Sequence, residues 1–220
     1  MTRNERAAAI TAALRRVYPD AHCELDFATP LQLLLATILS AQCTDKRVNM
    51  VTPALFKKYK TARALADAPQ EEIEEIVRST GFYRAKAKSL KAACADIASK
   101  HGGSVPDTMD ALVALHGVGR KTANVVLGNV FGKNEGVVVD THVGRLSQRF
   151  GLTKNTDPEK IEADLMKLVP RDDWANFSHW LIWHGRRRCQ ARRPDCADCE
   201  LNKLCPSAFK VAGCTMPTTD

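Results

Sequence analysis

Residues 115–127 read LHGVGRKTANVVL, and this stretch indicates the architecture more directly than any other part of the chain. Helical patterning runs from residue 110 to residue 130 and is interrupted by Gly117 and Gly119. Two glycines so spaced let the backbone turn tightly and approach a partner closely, while free N–H groups collect at the positive end of the next helix. We therefore predict two helices joined by a glycine turn, with an anion site where the second begins, near Lys121.

The rest of the sequence predicts helices and almost no strand. The only β-branched run of note is Val137–Val139. The clearest helix follows Thr29 as N-cap, with Pro30 at its first position. Its apolar stripe has helical spacing and consists of Leu31, Leu34, Leu35, Ile38 and Leu39. An all-α fold is expected.

Further helices are predicted along the chain. They cover residues 73–77 and 84–100, the segment opened by Asp157 and Pro158, and residues 177–184. Gly185 is expected to end the last of them, because glycine commonly follows a helix C-terminus.

Composition and charge favour a nucleic-acid partner. The 220 residues are 45% hydrophobic and 26% charged, which is typical of a packed globular protein. The net charge of +7 would attract a polyanion, although a mildly basic surface alone is common. Five arginines crowd into eight positions and favour a phosphate-facing patch: Arg186, Arg187, Arg188, Arg192 and Arg193.

No stretch of the sequence resembles a signal peptide or is long enough to span a bilayer, so we expect a cytoplasmic protein without membrane contact. Eight cysteines in a reducing compartment argue against a disulfide framework. Four of them stand with six, two and five residues between them: Cys189, Cys196, Cys199 and Cys205. Four thiolates can hold one zinc ion or a [4Fe–4S] cluster, and the residue types leave both open. The others are predicted to be packing or surface thiols: Cys23, Cys43, Cys94 and Cys214.

Residues 115–127 closely resemble the helix-hairpin-helix of the endonuclease III family, a group of DNA-repair glycosylases. The family's nucleophilic lysine matches Lys121. The resemblance continues at residues 139–142, VDTH, where the family's catalytic aspartate matches Asp140. The spacing of the four C-terminal cysteines also resembles the family's cluster loop, which implies a [4Fe–4S] cluster.

The chemistry that the resemblance implies suits these residue types. A neutral amine can attack the sugar C1′, displace the damaged base and form a Schiff base that permits β-elimination. We expect partial burial and the positive helix end to favour the neutral amine of Lys121. Asp140 would stabilise positive charge on the sugar and assist proton movement. Outside this motif, the lysine would be a solvated side chain and the aspartate an N-cap.

Two further segments resemble the family's damage-recognition loops. A base must leave the duplex stack before its glycosidic bond can be reached, so side chains must fill the gap. Residues 39–45, LSAQCTD, resemble the segment whose glutamine enters the gap, and residues 81–83, GFY, resemble the loop that wedges the opposite strand. Gln42 and Phe82 are the candidates. The family commonly has leucine where Phe82 stands, and the other interpretation of Phe82 is a core aromatic.

Other DNA contacts are predicted around these loops. Gly117 and Gly119 would hold a backbone phosphate. His142 would line the pocket or satisfy a helix end. Binding of the four cysteines to a cluster would fix Arg192 and Arg193 in a rigid basic loop.

The resemblance covers essentially the whole chain and implies two α lobes with the active site in the cleft between them. Residues 23–133 would form a six-helix barrel containing the hairpin, and residues 1–22 with 134–220 a lobe carrying the cluster loop. The implied activity is that of a bifunctional N-glycosylase and abasic-site lyase. It would act as a monomer on damaged double-stranded DNA and remove oxidised pyrimidines such as thymine glycol.

The sequence bears on three alternatives. A sister group that removes adenine from mispairs has a glutamate where this chain has Thr37, and it has no nucleophilic lysine. Lysine-bearing 8-oxoguanine enzymes generally lack the cysteine array. A non-catalytic DNA-binding module would use the glycine turn and the basic loop only to hold phosphates.

Overall fold

The computed structural model describes residues 1–216, and the regular structure in that range is entirely helical. The all-α prediction is confirmed. Val137–Val139 is a buried connecting segment, not a strand, and the Val138 N–H donates to Ser178 Oγ at 2.9 Å. No helix among these residues is both long and apolar enough to cross a membrane.

The chain divides into two compact units, of which one comprises residues 24–133. Its helices are α2 (Pro30–Leu39), α3 (Asp45–Lys58), α4 (Ala62–Ala66), α5 (Gln70–Val77), α6 (Tyr83–Lys100), α7 (Met109–Val113) and α8 (Arg120–Val130). A short 3-10 turn, Arg78–Thr80, connects α5 towards α6.

Helix α2 is the centre of this unit, since it packs against α3, α6 and α8. It begins as predicted, because Thr29 Oγ1 accepts the Gln32 N–H at 3.2 Å and Pro30 takes the first position. Leu33 is fully buried whereas Leu31 is only half-buried, so the predicted stripe differs at these two positions. A helix covered on three sides buries more than one stripe.

The other unit comprises residues 1–23 and the chain from residue 134 onward. Its helices are α1 (Arg3–Val17), α9 (Thr141–Arg149), α10 (Pro158–Met166) and α11 (Trp174–Arg187). Helix α11 packs against α1 and α9. Helix α10 opens as predicted, with Asp157 Oδ1 accepting the Lys160 N–H at 3.0 Å.

The prediction that Gly185 ends α11 is wrong, because the helix continues to Arg187. Gly185 is buried, and a Cβ at this position would lie 2.8 Å from His142 Nδ1 and 3.0 Å from Arg145 Nη2. Glycine is therefore needed here for close approach between α11 and α9, not for a helix end.

Candidate active-site residues and cysteine pocket

The predicted hairpin is present, as α7 and α8 are joined by a turn in which Val118 is buried. Gly117 has a φ of +73°, and a Cβ there would meet Ser89 Cβ of α6 at 2.9 Å. Glycine is thus required at this position by conformation and by space.

Gly119 differs from Gly117. It is the N-cap of α8 with an ordinary φ of −96°, and no atom lies within 4 Å of a Cβ placed on it. The fold itself would accept a side chain at Gly119. Gly119 has no side chain that could cap the backbone N–H groups at the start of α8.

Lys121 lies on the first turn of α8 and is exposed. The expected partial burial is therefore wrong. This turn contains Arg120 and Lys121 but no acidic side chain, and it lies at the positive end of the helix dipole. The start of α8 consequently suits an anion such as a backbone phosphate.

Asp140 belongs to the other unit and is the N-cap of α9. Its Oδ1 accepts the Val143 N–H at 2.8 Å, and it directly follows the buried segment Val137–Val139. The interpretation of Asp140 as an N-cap is therefore confirmed. The cap hydrogen bond uses Oδ1 and thereby fixes the orientation of the carboxylate. Oδ2 does not take part in this bond.

The candidate gap-filling residues, Gln42 and Phe82, share a rare backbone conformation in the unit 24–133. Their φ angles are +52° and +48°, in the left-handed region that non-glycine residues seldom adopt. Phe82 is 68% exposed and Gln42 is also exposed, so the core interpretation of Phe82 is wrong. Such strain costs about 1–3 kcal/mol per residue and clusters at functional sites.

His142 lies half-buried on α9, in the same unit as Asp140. Its Nδ1 is 3.2 Å from Arg145 Nη2, and it packs against Gly185. Arg145 in turn donates to the carbonyl oxygens of Gly185 at 3.1 Å and Cys189 at 2.9 Å. His142 thus supports the arginine that joins α9 to the start of the cysteine loop.

The four C-terminal cysteines all line one pocket, which includes Phe150 and His184 in its wall. None of the four forms a disulfide. Burial raises the pKa of Cys199 to about 12 and that of Cys205 above its usual value. An electropositive centre would stabilise the thiolate form of buried cysteines grouped in this way.

The pocket also bears on which group it could hold. Within residues 1–216, no three His, Cys, Asp or Glu side chains are arranged to hold a single metal ion. Four cysteine side chains lining one pocket are the donor set of an iron–sulfur cluster, and they equally match the four thiolates of a structural zinc site.

Two residues that the sequence did not suggest contact these cysteines. Arg149 Nη1 donates to Cys189 Sγ at 3.1 Å, and the same guanidinium donates to two loop carbonyl oxygens, those of Gln190 and Ala191, both at 2.8 Å. His184 is fully buried, and its Nε2 lies 3.5 Å from Cys199 Sγ. Burial lowers the pKa of His184 to about 4, so it is neutral. Arg149 is 40 residues from Cys189, and no sequence pattern links them.

Arg192 and Arg193 are exposed on the loop between Cys189 and Cys196. Gly213 packs behind this loop, since a Cβ there would lie 2.5 Å from the Arg192 carbonyl oxygen. A fifth thiol, Cys214, lies near Cys196.

The arginine patch is less uniform than predicted. Arg188 Nη1 pairs with Asp195 at 2.8 Å, and Arg188 Nη2 lies 3.5 Å from Glu200. The guanidinium of Arg187 stacks 3.8 Å from the Trp183 ring centre. Arg188 is therefore largely neutralised within the loop, whereas Arg192 and Arg193 remain suited to phosphate.

Comparison with known proteins supplies independent information. The family model for HhH-GPD superfamily base excision DNA repair proteins matches residues 35–171. The chain is 58% identical to endonuclease III of Synechocystis sp., over 94% of both chains. It is 39% identical to endonuclease III of Escherichia coli K12, over 92% of this chain and 95% of that protein.

Solved structures agree. A non-covalent endonuclease III–DNA complex matches with a TM-score of 0.90 and 42% identity, over 96% of this chain and 98% of that chain. A trapped endonuclease III–DNA covalent intermediate matches with the same TM-score and identity, over 96% and 99% of the two chains.

The helical fold and its glycine hairpin thus define a DNA glycosylase of base excision repair. Within that class, the chain belongs to the endonuclease III family of the HhH-GPD superfamily, and it is a DNA-binding, bifunctional glycosylase and abasic-site lyase. The alternative of a non-catalytic binding module is excluded.

Proposed function

We propose that this enzyme removes oxidised pyrimidines, such as thymine glycol, from duplex DNA and cleaves the resulting abasic site through a Schiff base on Lys121. The observation that carries the proposal is the place of Lys121. It is an exposed amine on the first turn of α8, close behind the N-cap Gly119, which has no side chain to cap the helix start. A relative with 42% identity has been trapped covalently on DNA, which supports an enzyme-borne nucleophile.

The reaction proceeds in two stages. The neutral Lys121 amine bonds to C1′, the glycosidic C–N bond breaks, and the base leaves with the bond's electron pair and gains a proton. The sugar then opens to an imine with Lys121. Loss of a C2′ proton breaks the bond between C3′ and the 3′ phosphate oxygen. Asp140, held by its capping bond, offsets the positive charge that grows on the sugar and assists these proton transfers.

The proposed grip on DNA uses both units. A backbone phosphate binds at Gly117 and Gly119, while Gln42 and Phe82 fill the space left by the extruded nucleotide. Further contacts come from the other unit, from His142, Arg192 and Arg193. The unit 24–133 acts as the barrel lobe, the other as the cluster lobe, and the protein works as a monomer.

The four pocket cysteines are proposed to hold a [4Fe–4S] cluster, with Cys189, Cys196, Cys199 and Cys205 as ligands. When bound, the cluster supplies a covalent cross-link among four thiolates that orders the loop between them. Arg149 holds the same loop by donating to the carbonyl oxygens of Gln190 and Ala191. These bonds fix the backbone that precedes Arg192 and Arg193.

Borohydride trapping tests the nucleophile. The native protein, incubated with abasic duplex DNA and reduced, should form a covalent complex that Lys121→Ala does not form. Lys57→Ala, which removes an exposed lysine from α3 of the same unit, is the matched control and should trap normally. No adduct with the native chain would exclude the lyase step, and an adduct in Lys121→Ala would exclude this residue.

Metal analysis tests the cluster. Protein prepared anaerobically with adequate iron should be brown and contain about four iron atoms per chain, as a [4Fe–4S] cluster requires. Cys199→Ser should lose this iron, whereas Cys23→Ser, a half-buried thiol outside the pocket, should keep it. A colourless protein with one zinc ion would contradict the cluster.

A panel of defined lesions tests the substrate. Thymine glycol in duplex DNA should be excised faster than 8-oxoguanine or than adenine from a mispair. Faster removal of either purine would overturn the substrate assignment and would leave the trapping result intact.

A further inference from the structure

Lys86 is a buried lysine on α6 that no step of the proposed reaction uses. It is only 6% exposed. Its Nζ donates to the Thr80 carbonyl oxygen at 2.7 Å, and its backbone N–H donates to the Phe82 carbonyl oxygen at 3.0 Å. One residue therefore binds the carbonyl groups on both sides of Gly81.

A buried ammonium is costly, so its presence needs a physical reason. Burial lowers the pKa of Lys86, and the nearby Cys43 partly offsets this shift. An apolar residue would fill this place on the inner face of α6 without that cost. The compensation lies in Thr80, which is 3% exposed, ends a 3-10 turn and needs a donor for its carbonyl oxygen.

The turn that Lys86 spans is strained. Gly81 and Phe82 both have positive φ angles, +72° and +48°. Such a conformation in a phenylalanine costs about 1–3 kcal/mol and persists only when the surroundings fix it. The Phe82 side chain is 68% exposed, so its own packing does not fix the turn. The Lys86 side chain does so through its hydrogen bond to the Thr80 carbonyl oxygen, whereas the bond from its backbone N–H to Phe82 is the first i→i−4 hydrogen bond of α6.

We propose that Lys86 is a positioning residue that locks the Gly81–Phe82 turn so that Phe82 is already aimed into the DNA when a damaged nucleotide leaves the stack. This inference rests on the proposed wedge role of Phe82. Cys43, which follows the second gap-filling candidate Gln42, lies close enough to Lys86 to interact with its charge.

Preorganisation of this kind acts on binding to damaged DNA. A wedge that must first adopt a strained turn loses part of its binding free energy to ordering, and a wedge held in place does not. The loss should therefore appear in the preference for a gapped duplex over an intact one, and not in general affinity for DNA.

The test measures dissociation constants for a duplex with a tetrahydrofuran abasic analogue, which forms no Schiff base, and for the matching intact duplex. Phe82→Ala should lower the preference for the abasic duplex by about tenfold or more, as expected for a central aromatic contact. Lys86→Met should lower it by about tenfold, the scale of one hydrogen bond from a charged donor. The double variant should be no worse than Phe82→Ala alone, because both changes act through one side chain.

Lys91→Met is the matched control. Lys91 lies on the same helix and its Nζ also donates to a backbone carbonyl, that of Ala68, which is away from the wedge turn. Its loss removes the same charge and should leave the preference within about twofold of native, as for an independent site.

The outcomes separate the two proposals. If Phe82→Ala changes the preference and Lys86→Met does not, or if their losses add, Lys86 has no positioning role and the wedge stands. If Phe82→Ala has no effect, the wedge role itself is wrong. Should thermal melting show that Lys86→Met is unfolded, Lys86→Gln retains a donor in a milder change. It should give a smaller loss that again vanishes in the Phe82→Ala background, and additive losses there would overturn the inference.

Discussion

The Asp140 carboxylate caps helix α9 through a 2.8 Å hydrogen bond from the Val143 N–H. The proposed catalytic carboxylate is therefore also a structural element of its own unit. Its orientation is set before any DNA binds, because the cap is made by a residue three positions further along the same helix.

Substitution at Asp140 should separate the two roles. Asparagine caps helices about as well as aspartate, so Asp140→Asn should keep the native melting temperature, whereas Asp140→Ala should lose about 1 kcal/mol of unfolding free energy. Both should lose excision activity in single-turnover assays, by about 100-fold or more, because both remove the charge. Full activity in Asp140→Asn would show that the residue is only a cap.

Gly185 should tolerate no side chain. The Cβ of Gly185→Ala would approach His142 Nδ1 and Arg145 Nη2 to 3.0 Å or less, so we expect a loss of about 1–3 kcal/mol in urea denaturation. Gly144→Ala is the matched control. There the nearest atom, Ile161 Cδ1, would be 3.6 Å away, and alanine in a helix should stabilise by up to about 1 kcal/mol. Changes of the same sign in the unfolding free energy of Gly185→Ala and Gly144→Ala would refute this account.

The basic loop should set the salt dependence of DNA binding. Replacing Arg192 and Arg193 together with alanine should reduce the log–log slope of affinity against salt by about 2, the value for two lost phosphate contacts. Arg188→Ala should change the slope less, because Asp195 and Glu200 already neutralise that charge. An unchanged slope in the double variant would place the loop away from DNA.

His179 should make the protein less stable in mild acid. Burial, reinforced by nearby His22, lowers the pKa of His179 to about 4. Between that value and the unfolded value near 6.5, the unfolded chain binds a proton that the native state does not, so stability falls as pH falls.

The size of this effect can be measured. From pH 7 to pH 5, His179 should account for a loss of about 2 kcal/mol in unfolding free energy. His179→Gln should flatten the profile over this range by that amount. Parallel profiles for native protein and His179→Gln would show that the residue does not titrate in this way.

Local sequence rules predicted the parts of the fold that depend on near neighbours. Thr29 and Asp157 were identified as N-caps because a cap is made within three residues along the chain. The glycine turn before α8 was identified for the same reason, although only Gly117 has a positive φ.

The errors concern residues whose environment comes from distant segments. The sequence predicts a helix end at Gly185 because glycine is common there. Its actual contacts, His142 and Arg145, lie about 40 positions away and leave no local sign. Lys121 is exposed although the sequence predicts partial burial, because exposure depends on what packs against α8. The strain at Phe82 and its support by Lys86 could not be predicted from the sequence, because no residue pattern indicates a phenylalanine with a positive φ.

By itself, the sequence determined the helical class, the hairpin, the four-cysteine array and the candidate nucleophile, because each is written in residue types at short spacing. Only the tertiary structure decided which cysteines share a pocket, that Arg149 and His184 contact them, and that a buried lysine donates to the carbonyl oxygen before the Gly81–Phe82 turn. Those relationships join residues far apart in the chain or depend on burial, and burial is a property of the packed molecule, not of any segment alone.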